Sequence, residues 1–167
     1  MTRAPVTASP SPPAERTVPP AAAPSSAVPD GAIGPPAPAV VGAPAKGRIL
    51  VIDDEGAIRE MARDILESGG YEVVTAVDGV DALEVYREEW GRIDLVLLDM
   101  VMPRMGGLET YRRLLGMDRT VRVLLCTGFA DHEKTQKALK EGAVGLLQKP
   151  FTMTELLGKI ARVLARK

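Results

Sequence analysis

Five polar residues are placed where their side chains could act together: Asp53, Asp54, Asp99, Thr127 and Lys149. Each lies at, or close behind, the end of a short aliphatic run that is typical of a buried strand. In an open parallel sheet the carboxyl ends of the strands share one edge, where ligands bind. The sequence therefore predicts one site that combines carboxylates for a hard cation, a hydroxyl, and an ammonium group for an anion. This combination suits an aspartate that accepts a phosphoryl group.

The three aspartates would repel one another, and one would stay protonated unless a cation lay beside them. Mg²⁺ suits such a site because it prefers oxygen ligands and keeps several waters. Asp99 is the expected nucleophile, since it ends the most hydrophobic run, which holds its backbone firmly. Lys149 supplies a positive charge and Thr127 a hydroxyl donor, because phosphoryl transfer depends mainly on positioning and charge neutralisation.

The elements that must position these residues alternate along the chain from residue 48 onward. Aliphatic runs predict strands at 49–52, 71–76, 95–98, 121–126 and 144–147. Helices are expected between and after them, with signals at Gly69-Gly70 (a stop), Ala82 to Trp90, Leu108 to Leu115, Asp131 (a cap) and Thr152 to Glu155 (a capping box).

Five strands that alternate with five helices predict an α/β fold with a doubly wound, five-stranded parallel sheet covered on both faces. Right-handed crossovers limit the possible strand orders. If the first strand is central and the mixed second strand lies at an edge, the order is 2-1-3-4-5, the flavodoxin-like (βα)5 arrangement.

Residues 1–46 differ in composition from the rest of the chain. Twelve of the 14 prolines lie within residues 1–47, and the first of the six aromatic residues is Tyr71. Such a segment buries too little apolar surface to offset the entropy of ordering. We therefore expect a disordered Pro/Ala-rich tail over 1–46 and one folded domain over 47–167.

Charge and hydropathy exclude several classes of protein. The net charge of −1 gives no reason to expect direct binding to nucleic acid. No apolar run approaches the ~20 residues of a membrane span, and the N-terminus lacks the apolar segment of a secretory signal. The single cysteine, Cys126, fits a reducing compartment, so a cytoplasmic location is expected.

Taken as a set, the motifs make residues 48–167 resemble the receiver domain of two-component response regulators. The motifs are Asp53-Asp54, Asp99 with Met102-Pro103 and Gly106-Gly107, Thr127-Gly128, and Lys149-Pro150-Phe151. The resemblance implies that Asp99 takes a phosphoryl group from a histidine kinase or a histidine phosphotransfer protein. It also implies that Lys149 and the Thr127 hydroxyl contact the phosphoryl oxygens, and that the Lys149–Pro150 bond is cis. The implied Mg²⁺ ligands are Asp54, Asp99 and the Val101 backbone carbonyl, with Asp53 helping through water.

One position departs from the family pattern. Receivers often carry Tyr or Phe three residues before the lysine, as a switch coupled to the threonine, whereas this chain has Leu146. In the family's geometry, the residues two beyond the aspartate and two beyond the threonine flank the path of the hydrolytic water. Here they are the apolar Val101 and Phe129, which predict slow loss of the phosphoryl group.

The leading interpretation is a signalling phosphoacceptor that catalyses only its own phosphotransfer and autodephosphorylation. It could be a stand-alone regulator, a phosphorelay intermediate or part of a hybrid kinase, and its downstream protein partner is not specified. One alternative is a phosphatase-like hydrolase with Asp99 as nucleophile, but the second carboxylate that such sites commonly place two residues later is replaced by Val101. A phosphate-independent scaffold is the other alternative, although such proteins usually lack an acidic residue or the lysine.

Overall fold

The structure, a computed structural model, describes residues 45–128 and 132–165. Within these ranges, strands and helices alternate strictly along the chain. The strands are β1 (Arg48–Ile52), β2 (Glu72–Ala76), β3 (Leu95–Asp99), β4 (Val123–Thr127) and β5 (Gly145–Gln148). The helices are α1 (Gly56–Ser68), α2 (Gly79–Glu88), α3 (Gly107–Met117), α4 (His132–Lys140) and α5 (Met153–Leu164).

All the strand pairings are parallel, and the order in the sheet is β2-β1-β3-β4-β5. The predicted flavodoxin-like α/β fold is therefore confirmed. In the register, Ile52 lies opposite Leu98, and Asp99 lies opposite Cys126. The carboxyl ends of β1, β3 and β4 thus meet along one edge, and the residues that follow these strands are brought together there.

Two apolar layers hold the helices against the sheet. Because side chains alternate across a strand, Ile49 and Val51 face α1 and α5, whereas Leu50 and Ile52 face α2, α3 and α4. The same alternation divides the residues of β3 and β4 between the two layers. Every residue of β3 is buried, so Asp99 stands at the end of a strand whose backbone is held on both faces.

Local signals set several element ends. The capping box at the start of α5 is confirmed, since the Thr152 hydroxyl accepts from the Glu155 N–H and the Glu155 carboxylate accepts from the Thr152 N–H. Trp90, expected within the second helix, instead lies beyond its end at Glu88. Its side chain is exposed, and its ring meets that of Tyr86 edge-on, with centroids 6.0 Å apart.

Two further expectations fall partly or wholly outside the described residues. The Asp131 cap lies outside them, and of the tail predicted over 1–46 only Ala45 and Lys46 are described. The Lys46 N–H donates to the Gly70 carbonyl at 3.0 Å. Among the described residues, no helix combines the length and the apolar character needed to cross a membrane.

Candidate functional site

Asp53 is fixed immediately behind β1 by several hydrogen bonds. Its backbone N–H donates to the Ala76 carbonyl at 3.3 Å, and its own carbonyl accepts from the Arg59 guanidinium at 2.7 Å. Its side-chain Oδ1 accepts from the Glu55 N–H at 2.9 Å. The Asp53 side chain is therefore buried with one oxygen, Oδ2, left to face the site, whereas the neighbouring Asp54 is exposed.

Asp99 ends the central strand β3 and is 5 % exposed. The Val101 N–H lies 3.4 Å from Asp99 Oδ1, a long and therefore weak hydrogen bond. The other oxygen, Oδ2, faces Lys149. The largely buried Asp99 carboxylate thus borders the cleft at the edge of the sheet, while its backbone is held by the neighbouring strands.

Lys149 joins the two buried aspartates. Its backbone N–H donates to the Thr127 carbonyl at 2.8 Å, which extends the pairing of β5 with β4. Its Nζ lies 2.7 Å from Asp53 Oδ2 and 3.1 Å from Asp99 Oδ2. The peptide bond between Lys149 and Pro150 is cis, as the resemblance implies.

Burial and charge act in opposite directions on these groups. Burial is the largest influence on the Asp99 carboxyl and raises its pKa. The Lys149 charge opposes this rise without cancelling it, and the Asp53 charge adds to it. Burial lowers the pKa of Lys149, but the hydrogen bond to Asp53 and the charges of Asp99 and Asp53 together outweigh it, so the net shift is upward. The raised pKa of Lys149 keeps the lysine charged at neutral pH. Burial raises the pKa of Asp99 and so disfavours the charged form of its carboxyl.

The carboxylates offer a place for a cation. One oxygen from each of Asp53, Asp54 and Asp99 can be chosen so that all three atoms lie within 4.8 Å of one another. Asp54 and Asp99 border an open cleft of about 420 Å³, which is also lined by Glu55, Val101, Gly128 and Lys149. Carboxylate oxygens beside an open cleft are the donors that Mg²⁺ prefers, so the residues present fit this metal.

Thr127 is placed differently from the other predicted site residues. It ends β4 and is 6 % exposed, and its hydroxyl donates to the Gly128 carbonyl at 3.1 Å. Its side chain lines a separate cavity of about 120 Å³ together with Thr135 and Leu146. The structure thus brings the three aspartates and Lys149 together, while the Thr127 hydroxyl is satisfied locally.

Sequence reasoning missed two contacts around the site. Arg59, in the first turn of α1, donates to the Asp53 carbonyl. Arg104, in the loop after β3, forms an ion pair with the buried carboxylate of Asp78 at the start of α2. The contact of Arg59 could have been inferred from the sequence, because Arg59 lies one helical turn after the acidic pair. The contact between Arg104 and Asp78 could not, because no rule of sequence spacing links residues in two separate loops. Cys126, which precedes Thr127 on β4, is buried in the core, and burial raises the pKa of its thiol to about 12.

Comparisons with known proteins agree with this geometry. The family model described as the response regulator receiver domain matches residues 49–161. The chain is 39% identical over 118 residues to the chemotaxis protein CheY of Treponema pallidum, a match that covers 70% of this chain and 82% of that protein. It is 40% identical over 119 residues to the response regulator MprA of Mycobacterium tuberculosis, covering 71% of this chain but only 51% of MprA.

A solved structure is also similar in its fold. The CheX-CheY-BeF3-Mg²⁺ complex from Borrelia burgdorferi contains a chain that matches with a TM-score of 0.68 and 26% identity. The match covers 71% of this chain and 90% of that one.

Proposed function

The chain belongs to the response regulator receiver family, and from this membership we propose that Asp99 accepts a phosphoryl group from a phosphohistidine donor, with Mg²⁺ bound beside it. Receiver domains serve as phosphoacceptors in two-component signalling and interact with histidine kinases and downstream effectors. They are signalling domains rather than classical enzymes.

One observation carries the proposal: the Lys149 ammonium lies between the carboxylates of Asp53 and Asp99, at 2.7 and 3.1 Å. A lysine in this place reduces the repulsion between the aspartates and leaves a positive charge at the edge of the cleft. A phosphoryl group attached to Asp99 would bring further negative charge to the same spot. Lys149 is therefore positioned to exchange a carboxylate partner for a phosphoryl oxygen.

The proposed reaction is a direct transfer. An Asp99 carboxylate oxygen attacks the phosphorus of phosphohistidine, the new O–P bond forms, and the P–N bond breaks. The electron pair of the P–N bond returns to the imidazole nitrogen of the donor. Asp99 must be ionised to attack, and at neutral pH the Lys149 charge favours that form against the effect of burial.

The proposed metal site lies beside the three aspartates. We assign Asp54, Asp99 and the Val101 carbonyl as ligands, with Asp53 acting through water. When bound, Mg²⁺ would neutralise charge that develops on the phosphoryl oxygens. Asp53 suits an indirect role, because its Oδ1 accepts from the Glu55 N–H and its Oδ2 from Lys149.

Thr127 is assigned to the phosphoryl oxygens as a donor, which requires its hydroxyl to leave the Gly128 carbonyl. The donor protein is proposed to be a histidine kinase or a histidine phosphotransfer protein, and the output a contact with another protein. Slow autodephosphorylation fits an apolar, half-exposed Val101 beside the cleft, since this side chain is unable to orient water.

Incubation with phosphoramidate, a small donor with a P–N bond, tests the proposal. Intact-mass analysis should show one added phosphoryl group in the presence of Mg²⁺ and none when a chelator removes it. The Asp99→Asn variant should stay unlabelled under the same conditions. Equal labelling with and without the chelator would contradict the metal assignment, and equal labelling of the variant would contradict the assignment of Asp99.

A further inference from the structure

The loop between Asp99 and α3 carries Val101 past the proposed metal site, so its conformation bears directly on that site. The loop is closed at its base by the Gly107 N–H, which donates to the Met100 carbonyl at 3.2 Å. At its far end, the Thr110 hydroxyl donates to the Gly106 carbonyl at 3.0 Å. Val101 lies between these ends and is 51 % exposed. In the middle of the loop, the Met105 N–H donates to the Pro103 carbonyl at 2.7 Å and closes a tight turn around Arg104. These backbone contacts do not tie the loop to α2.

Arg104, in the middle of this loop, has an unusual backbone. Its φ of 62° lies in the left-handed region, and it is the one non-glycine residue with a positive φ among residues 45–128 and 132–165. Glycine is the usual residue for such a conformation, because every other side chain is disfavoured there. A long cationic side chain at this position therefore suggests that the guanidinium is needed.

The Arg104 guanidinium forms an ion pair with Asp78, whose side chain is only 4 % exposed. Asp78 Oδ1 is already occupied as the N-cap of α2, accepting from the Val80 and Asp81 N–H groups at 2.8 and 3.0 Å. Its Oδ2 is the oxygen that contacts Arg104. The buried carboxylate thus binds the start of α2 with one oxygen and the loop after β3 with the other.

The two loops also pack closely against each other beside this ion pair. A Cβ added at Gly79, next to Asp78, would clash with Met105 and with the Thr110 side chain. Met105 follows Arg104 directly and is buried. The ion pair between Arg104 and Asp78 therefore lies beside a close contact between Gly79 and Met105 that leaves no room for a side chain at Gly79.

We propose that Asp78 and Arg104 are positioning residues that hold the 101–105 loop in the conformation in which the Val101 carbonyl would serve as a Mg²⁺ ligand. This inference rests on the proposed function, because it assumes that the metal binds at the three aspartates. Neither residue touches the reacting atoms. Their effect passes through the backbone between Asp99 and Arg104.

Replacement of Arg104 by glutamine separates positioning from charge. Loss of a positive charge near a cation site would by itself tighten Mg²⁺ binding. A loosened loop would instead weaken Mg²⁺ binding. Replacement of a residue that orients a metal ligand typically lowers the metal affinity by about tenfold or more. The two explanations therefore predict opposite signs for Arg104→Gln.

The experiment is a Mg²⁺ titration of the full chain followed by the amide signals of Asp99 and Val101 in NMR spectra. Arg104→Gln should weaken Mg²⁺ binding by about tenfold, and Arg104→Lys should recover part of the loss. The matched control is Arg113→Gln, which removes the same charge from an exposed pair with Glu109 in α3 and should leave the affinity unchanged. If Arg104→Gln proves unfolded, Arg104→Gly replaces it, since glycine accepts the left-handed backbone but lacks the guanidinium.

A double-variant cycle completes the test. Asp78→Asn keeps an oxygen for the N-cap but loses the ion pair, so combining it with Arg104→Gln should weaken binding no further than either change alone. Additive losses, or unchanged or tighter binding in Arg104→Gln, would overturn the positioning role while leaving the proposed function intact. Failure of the unsubstituted chain to bind Mg²⁺ would overturn both.

Discussion

Replacement of Lys149 by methionine should destabilise the domain in a manner that depends on pH and Mg²⁺. The change removes the ammonium that lies 2.7 Å from Asp53 and 3.1 Å from Asp99. Both carboxylates are nearly fully buried, with side chains 5 and 7 % exposed, so they lose their counter-charge without gaining water. Methionine keeps much of the packing volume and isolates the effect of the charge.

The size of the effect has two bounds. Removing one partner of a buried ion pair typically costs about 3–5 kcal/mol. This loss of stability has an upper limit, because one aspartate can take up a proton instead of staying charged. For a carboxyl with an ordinary pKa near 3.9, protonation at pH 7 costs roughly 4 kcal/mol. At pH 5 the same upper limit is only about 1.5 kcal/mol. We therefore expect a loss of about 3 kcal/mol at pH 7 and about 1 kcal/mol at pH 5.

The sign of the pH dependence follows from the direction of the shifts. The folded-state pKa of Asp99 is raised by burial, so the folded protein holds this proton more tightly than the unfolded chain does. Stability therefore falls as pH rises from the ordinary aspartate pKa towards the raised one, and without Lys149 that fall is larger. Lys149 itself has a raised pKa and stays charged over this range, so its own titration does not contribute there.

Urea denaturation at pH 5 and pH 7, with and without millimolar Mg²⁺, measures these differences. Mg²⁺ should stabilise Lys149→Met more than the unsubstituted chain, since the metal then supplies the missing positive charge. Lys140→Met, at an exposed position at the end of α4, is the control for loss of a lysine charge. Equal destabilisation of Lys149→Met at both pH values, or no extra stabilisation by Mg²⁺, would refute the electrostatic account of this site.

Three further outcomes are expected. A chain that begins at Ala45 should keep the melting temperature and phosphorylation of the full chain, because residues 1–46 offer no core; a large drop in either would contradict this. Polar replacements of both Val101 and Phe129, of which Phe129 lies outside the described residues, should speed loss of the phosphoryl group from Asp99, as followed by intact-mass analysis; unchanged or slower loss would count against the role of these side chains. Leu146→Tyr should change the affinity for a protein partner more than the rate of phosphorylation. Leu146 lines the cavity of about 120 Å³ beside Thr135, whose buried hydroxyl lacks a hydrogen-bond partner within residues 45–128 and 132–165. A change confined to the rate would show that this cavity does not transmit the signal.

Most of the fold was predictable because buried parallel strands leave a clear mark in the sequence. The run Leu95-Val96-Leu97-Leu98 is apolar on both faces, as only a central strand requires, and it forms β3 at the centre of the sheet. The mixed residues of β2 correctly indicated an edge. Trp90 was misplaced because its spacing from Tyr86 matches a helix turn, whereas its indole packs on Tyr86 from beyond the helix end.

The site was predictable in its membership but not in its internal contacts. The rule that strand ends meet at one edge placed the aspartates and Lys149 together. It said nothing about which hydrogen bond each side chain makes, so the contact of the Thr127 hydroxyl with Gly128 was not foreseen. The Arg104–Asp78 ion pair was equally hidden, since two irregular loops share no periodicity that could signal a contact.

The most direct test of the central claim is to identify the residue that carries the phosphoryl group. Borohydride reduces an acyl phosphate to an alcohol, so a phosphorylated aspartate becomes homoserine and can be mapped by peptide mass spectrometry. After reaction with phosphoramidate and Mg²⁺, the modified residue should be Asp99 alone, and the modification should vanish when the metal is chelated. Homoserine at Asp53 or Asp54, or a phosphoryl group on His132, would contradict the account.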